Sequence, residues 1–412
     1  MAGRSKTPYH LIGRRLARHQ EELRSRGTNL WEDLHTNYVG KWISPTLAHV
    51  ARVRTALVEG MTRYLVEQGL VNLERVQLSL VTDPLAHEVE RLTEIPYRDG
   101  VYVATHSMIY AKILALWNPL LKGVFVDSPN LRLELPGERQ RGRYLLDFSQ
   151  LDVELRRPHQ PDQEAYFHRT REVAEILREE LQLALEFFSH MLRAGWQRVQ
   201  ATAEDSLHAL GVVLEELPEK LPVFYLDDAL QRWAKAEVEA ALGEESPSQA
   251  FFVVGLLREN YDLVYPYLRP DGSRRPLATI PSRDIFNYDL VVRGCRRDGG
   301  RSPAVEVLSG GLREWIPQAI VARLVDQGII PEPPVFVGGH LENLHRLGGY
   351  GPFLSLVCAA RDGLLAPFPA TFGAGIGIER LLWAILRGDQ VRTIEDVTFF
   401  GKNPDSRHLF LF

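Results

Sequence analysis

Residues 371–386 read TFGAGIGIERLLWAIL, with glycine at every second position (Gly373, Gly375, Gly377) and then, without a break, Glu379, Arg380 and a leucine-rich run. The pattern is that of a strand passing straight into a helix. Alternate glycines leave space for another group to approach the backbone. The helix start offers free N–H groups and a dipole that favours anions. Arginine is the side chain whose fork matches a phosphate. The same pattern also suits a glycine-rich strand end packed on a helix, so the rest of the chain must decide between them.

The chain has 412 residues, 45% of them hydrophobic and 25% charged, which suits a globular protein with a substantial core in one to three domains. Its formal net charge of −5 argues against a protein whose main task is coating nucleic acid. With Cys295 and Cys358 its only cysteines, neither a disulfide framework nor a cysteine metal site is expected, and a reducing cytoplasm is favoured. The basic N-terminus lacks an apolar signal core, and no long apolar run predicts a membrane span.

Residues 1–30 are arginine-rich and read as a helix. An amphipathic helix follows over 44–69, with Leu47, Val50, Val53, Leu57, Met61, Leu65 and Val66 at helical spacing, Pro45 in its first turn and Gly69 as its C-cap. Short β-rich runs come next at VQLSLV, GVFVD and LLDFSQLDVEL. A long helix is predicted over 162–195 and a mostly helical, acidic excursion over 196–248. Strands resume at AFFVVG (250–255), NYDLVVRG and AVEVLSG, with a loop at 269–284, a polar hairpin at CRRDGGRSP, and a helix from about Arg313. Strands gathered in the middle with helices around them predict an α+β fold built on a mainly antiparallel sheet.

Three stretches in order resemble the catalytic core of class II aminoacyl-tRNA synthetases: the helix and strand of 45–84, SPNLRLELPGERQRGRYLLDFSQLDVEL, and GAGIGIERL. They stand in the places of motifs 1, 2 and 3. The resemblance narrows through VTDPL (81–85), THSMIYAKILAL (105–116), LLRENYD (256–262), NYDL (287–290) and EVLSGGLREW (306–315). Together these resemble an ammonia-dependent asparagine synthetase related to archaeal aspartyl- and asparaginyl-tRNA synthetases, a catalytic core without an anticodon-binding domain. The implied organisation is an N-terminal helical extension (1–44), a core segment with motifs 1 and 2 (45–195), a helical insertion (196–249) and a core segment with motif 3 (250–412).

The resemblance implies roles residue by residue. Arg132 would meet the α-phosphate of ATP and Arg380 the γ-phosphate. Phe148 would stack on adenine, although a core phenylalanine on an alternating strand fits the same pattern. Glu134 and Arg143 would complete the nucleotide contacts, and Gly373, Gly375 and Gly377 would let the adenosine lie against the strand. Glu306 and Ser309 match a Mg2+-binding pair, with Glu379 as a candidate for a second ion. Lys112 and Arg313 match the pair that holds the carboxylate of aspartate. A buried lysine and arginine converging on one acid are costly unless a dianionic substrate completes them. Alone, Lys112 also suits a snorkelling surface lysine. Ser107, Gln150, Asp289, Ser309 and Gly310 would line the substrate, with Tyr261, Asp262 and Asp289 candidates for the amino-group or ammonia side.

The expectation is therefore an ATP- and Mg2+-dependent, amide-forming ligase acting on aspartate or a similar acid with ammonia or another amine, as a homodimer without tRNA. An adenylate-forming ligase of specialised metabolism, or a paralogue with a tRNA-binding or regulatory role, are the alternatives. Departures from the family pattern are Arg143–Tyr144 in place of Arg-His, Asp147 in place of Glu, LLRENYD in place of PREFYD, and FFGKNPD near the end.

Overall fold

The computed structural model describes residues 8–80, 94–98, 100–133, 142–235, 237–256 and 262–404. Glu134, Tyr261 and the segment 81–85 lie outside these. The strands that matter are β1 (Val71–Asn72), β2 (Gly123–Leu131), β3 (Asp147–Arg156), β4 (Val223–Tyr225), β5 (Ala250–Val254), β6 (Asn287–Val292), β7 (Val305–Leu312) and β8 (Thr371–Gly377). They form one eight-stranded sheet in the order β1-β2-β3-β8-β7-β6-β5-β4. Every pairing inside the sheet is antiparallel, and only the edge pairs β1–β2 and β4–β5 are parallel. The α+β, mainly antiparallel architecture is as the sequence predicts.

The helices are α1 (Pro8–Ser25), α2 (Pro45–Glu67), α3 (Ile109–Ala115), α4 (Thr170–Thr202), α5 (Pro317–Asp326), α6 (Gly351–Arg361) and α7 (Ile378–Leu386). From Gln150 to Leu155 strand β3 alternates, and Leu151, Val153 and Leu155 point into the main core with α2, α4 and α7. The opposite face of the sheet is flanked by two smaller apolar clusters. One joins α3, α5 and α6 through Ile109, Ile320 and Phe353. The other joins Leu226, Val238 and Leu242 to Phe251, Val253 and Val291. Between them lies a strip of sheet carrying polar side chains.

Helix α2 buries the predicted face and closes on Gly69, which takes φ 81°, with Leu70 N–H reaching back to Leu65 O. Val66 departs from the prediction: it is 60% exposed, because its position falls off the stripe set by Leu57, Met61 and Leu65. The helix expected over 162–195 is two. A short helix, Gln163–His168, breaks at Arg169, and α4 then runs on to Thr202. The Tyr166 carbonyl accepts the Tyr265 hydroxyl, which competes for the oxygen that a continuous helix would use.

The segment 196–249 is less helical than predicted. After Ala209 it supplies a two-residue strand, Val212–Val213, paired with Cys295–Arg296, and then β4, which extends the main sheet. Its apolar VFY run finds a partner in the open edge of β5. The helix expected from Arg313 starts at Pro317 instead. The Arg313 N–H bonds to Thr371 O, and Trp315 and Ile316 donate their N–H groups to the Glu314 carboxylate. Proline then takes the first helical position, where its missing donor costs nothing.

Candidate functional site

On the polar strip, the even positions of β3 bring Gln150, Asp152 and Glu154 to one face. Lys112 enters from α3, almost fully buried, and donates to Asp152 Oδ1 at 3.1 Å and to Val153 O at 3.3 Å, with Glu154 Oε2 at 3.7 Å. Arg313, at the end of β7, donates from Nε to Glu154 Oε1 at 3.2 Å and from Nη1 to Asp262 Oδ1 at 3.4 Å. Thr371 Oγ1 donates to Glu154 at 2.8 Å, and Asn287 Nδ2 to Asp262 at 2.8 Å. Lys112 and Arg313 thus converge on Glu154, and the protein carboxylates Asp152, Glu154 and Asp262 already compensate them. Asp152 and Glu154 were not singled out in the sequence. Their signal was present in the alternation of QLDVEL, which places both acids beside Gln150.

The glycines of β8 serve these acids. A Cβ at Gly373 would lie 2.0 Å from Glu154 Oε2, and one at Gly375 would lie 2.8 Å from Asp152 Oδ1 and 2.7 Å from Gln150 Nε2. Room over Gly373 and Gly375 is therefore taken by side chains of β3. Of the three, only Gly377 has room for a Cβ, which would meet nothing nearer than Arg380 Cβ at 3.6 Å. Gly310 is small because Ala374 Cβ stands 2.5 Å from where its own Cβ would be.

The nucleotide candidates lie further along the strip. Arg132 donates from Nε and Nη2 to His106 O, and its guanidinium lies 5.1 Å over the Phe148 ring. Burial, helped by the charge of Arg132, lowers the His106 pKa to about 4. Ser107 stands just before α3, its hydroxyl oxygen accepting the Ile109 N–H at 3.3 Å. Arg380 stacks over Tyr144 at 4.7 Å and approaches Glu306 at 3.7 Å. Tyr144 is thus a platform for the arginine, at a position where the family pattern has histidine. Arg143 is half-exposed and faces Glu239 of the 196–249 segment at 3.7 Å. Burial and the nearby Glu306 raise the Glu239 pKa, against the pull of Arg143 and Arg380.

Glu306 and Ser309 are three residues apart and would point to opposite faces of a regular strand. A register shift between Leu290 and Val291 puts an extra residue into β7, and both become half-open positions on a strand otherwise buried. One carboxylate and one hydroxyl with an open side fit an ion that completes its shell with phosphate oxygens and water. Asp289 sits on β6 directly opposite Ser309. Glu379 is not grouped with them. It is buried, accepts the Ser149 N–H at 2.9 Å and lies 3.8 Å from Arg54 of α2, and burial raises its pKa. In this position it ties the start of α7 to β3 and α2. No three histidine, cysteine, aspartate or glutamate side chains form a metal cage among the described residues. Nor is any described helix long and apolar enough to cross a membrane.

No family model and no curated protein matches the sequence. Solved structures do match the fold. Asparaginyl-tRNA synthetase from Pyrococcus horikoshii, complexed with asparaginyl-adenylate, superposes with a TM-score of 0.60 at 18% identity, covering 88% of this chain and 70% of that one. Asparaginyl-tRNA synthetase from Entamoeba histolytica, also with asparaginyl-adenylate, gives 0.57 at 14%, covering 89% and 69%. Aspartyl-tRNA synthetase from Entamoeba histolytica gives 0.53 at 14%, covering 86% and 58%. The chain has a class II aminoacyl-tRNA synthetase-like fold.

Proposed function

We propose that this chain is an ATP-dependent ligase that activates aspartate, or an aspartate-like acid, and passes the acyl group to ammonia to form an amide such as asparagine. In the first step a substrate carboxylate oxygen attacks the α-phosphorus and pyrophosphate leaves. In the second the amine nitrogen attacks the acyl carbon, AMP leaves and the nitrogen loses a proton. Arg132 and Arg380 would neutralise charge on the phosphates, and Phe148 and Gly377 would receive the adenosine. Glu306 and Ser309 would hold Mg2+, which supplies further neutralisation of the phosphates when bound.

The observation that carries this reading is the buried cluster of Lys112 and Arg313 against Asp152, Glu154 and Asp262. A substrate carboxylate would have to share Lys112 and Arg313 with the protein carboxylates that now pair them, while the excess of acids favours a substrate that brings its own ammonium. An amino acid with a second carboxylate satisfies both halves. ATP–pyrophosphate exchange with each standard amino acid, followed by addition of ammonia and mass spectrometry, tests it. Aspartate-dependent exchange and asparagine on adding ammonia are expected. Exchange without asparagine would mean another amine acceptor, and no exchange with any acid would overturn the reading. Because the fold neighbours are tRNA synthetases, the second reading is transfer to tRNA. Aspartyl-tRNA formation in the same assay would select it.

A further inference from the structure

A pocket of about 350 Å3 lies outside this site, where the C-terminal end of α7 meets the hairpin 295–303. The hairpin contributes Arg296 and Arg301 to its wall, and the segment after α7 contributes Arg387 and Arg392. Asp389 is the one acid in the wall. A single basic group after α7 would complement the helix dipole. Four guanidiniums converging from two separate segments exceed that need and create a cationic concavity.

The acids that approach these arginines do so loosely. Arg296 lies 3.4 Å from Asp389, whose side chain is 92% exposed, and 3.4 Å from Asp298, while Arg301 lies 3.9 Å from Glu215. Exposed pairs at such distances exchange readily for a stronger anion. Arg387 and Arg392 have no carboxylate within ion-pair distance among the described residues. Arg387 is positioned by stacking over Trp383 at 4.7 Å, and Arg392 by its Nε–H donation to Asp389 O at 3.1 Å. Burial, and then the charge of Arg143, disfavour the protonated form of Arg387, so the pocket lies within electrostatic reach of the nucleotide end of the site.

We propose that this pocket is a second phosphoanion site, taking a multiply charged phosphoryl group separately from Arg132 and Arg380. Guanidinium forks match phosphoryl oxygens two at a time, and a phosphoryl group has a third oxygen and a second charge for further arginines, which a chloride or a lone carboxylate lacks. The chemistry fits inorganic pyrophosphate and the phosphate of a phosphorylated amine alike. The hairpin that carries half of the pocket has no part in the ligase reading, and the pocket does not depend on that reading.

The test is calorimetric titration of the full chain with pyrophosphate, and separately with phosphoethanolamine, after saturation with a non-hydrolysable ATP analogue. One equivalent of at least one anion is expected to bind. It should bind at least tenfold more weakly to Arg387→Gln/Arg392→Gln, with affinity for the analogue unchanged. Tighter pyrophosphate would identify a product-type ligand, and tighter phosphoethanolamine a phosphorylated co-substrate. Arg296→Gln/Arg301→Gln, altered on the hairpin instead, should weaken the same anion and guards against misfolding of the first variant. No binding of either anion, or undiminished binding to both variants, overturns the proposal. A chain that binds no analogue yet loses the anion in both variants would instead overturn the ligase reading and leave the pocket standing.

Discussion

Glu154 is the residue on which both buried cations of the strip depend: Arg313 and Thr371 donate to it and Lys112 stands 3.7 Å away. Removing one partner of a buried charge network leaves the others unpaired, at a cost of about 3–5 kcal/mol. Glu154→Ala should lose stability on that scale in urea unfolding, and adding Lys112→Met should restore part of it. A double variant less stable than the single one would show that Lys112 does not rely on Glu154. His106 gives a pH dependence. Its pKa falls from 6.5 unfolded to about 4 folded, so the native state prefers the neutral ring. At 1.36 kcal/mol per pH unit that preference is about 3 kcal/mol. Above pH 6.5 the ring is neutral in both states and stability is unaffected. As pH falls towards 4 the unfolded chain takes up the proton first, and stability drops. Urea midpoints between pH 7 and 4 should fall less steeply in His106→Gln than in the parent. Equal slopes would reject the assignment. At this scale the sequence announced Lys112, Arg313, Arg132 and Arg380 through their motifs. What balances them was only partly legible: the alternation of β3 puts Asp152 and Glu154 on one face, but their meeting with Lys112, Arg313 and Asp262 depends on elements distant in sequence.

The helices behind the sheet approach at a pair of glycines. A Cβ on Gly60 of α2 would lie 2.5 Å from Ala194 O and 2.8 Å from Gly195 Cα of α4. Backbone cannot yield as a side chain can. Alanine gains about 1 kcal/mol of helix propensity over glycine, but forcing two packed helices apart costs about 1–3 kcal/mol. Gly60→Ala should therefore destabilise the chain. Gly13→Ala in α1 should not, since nothing lies within 4 Å of that position. Thermal unfolding of the two variants checks the contrast, and similar midpoints would place the helices further apart than described. Periodicity predicted α2 well, because its burial stripe is a local property of 44–69. It could not predict the break at Arg169 or the strand β4. Those depend on Tyr265 bonding to Tyr166 O and on the vacant edge of β5, both distant in sequence. Elements that stabilise themselves were legible, and elements that exist for a remote partner were not.

For the whole molecule, the decisive surface is the one that follows α2. Val66, Val71, Leu78, Leu80, Tyr97 and Val101 are each between 45% and 60% exposed. They belong to the end of α2, to β1 at the outer edge of the main sheet, and to the small sheet formed by Leu78–Ser79, Gly100–Ala104 and Glu94–Tyr97 with the adjoining Leu80. Scattered apolar residues on a surface are ordinary, but several of them around a strand edge that pairs with no further strand among the described residues call for cover. If a second copy of the chain supplies that cover by a two-fold axis, one self-complementary patch closes both edges. Light scattering should give twice the 46.8 kDa of the chain. Val71→Asp, which sets a charge on the edge strand, should shift the mass towards the monomer without unfolding the protein, because the position is already solvent-facing in the single chain. If the dimer also shapes the strip, pyrophosphate exchange should fall in step with the dimer fraction, although no residue of the strip has been altered. A monomeric mass at every concentration, or a Val71→Asp protein that remains dimeric, would mean that this surface faces water or another partner. Among the described residues the outer edge of β1 would then be guarded by its two-residue length.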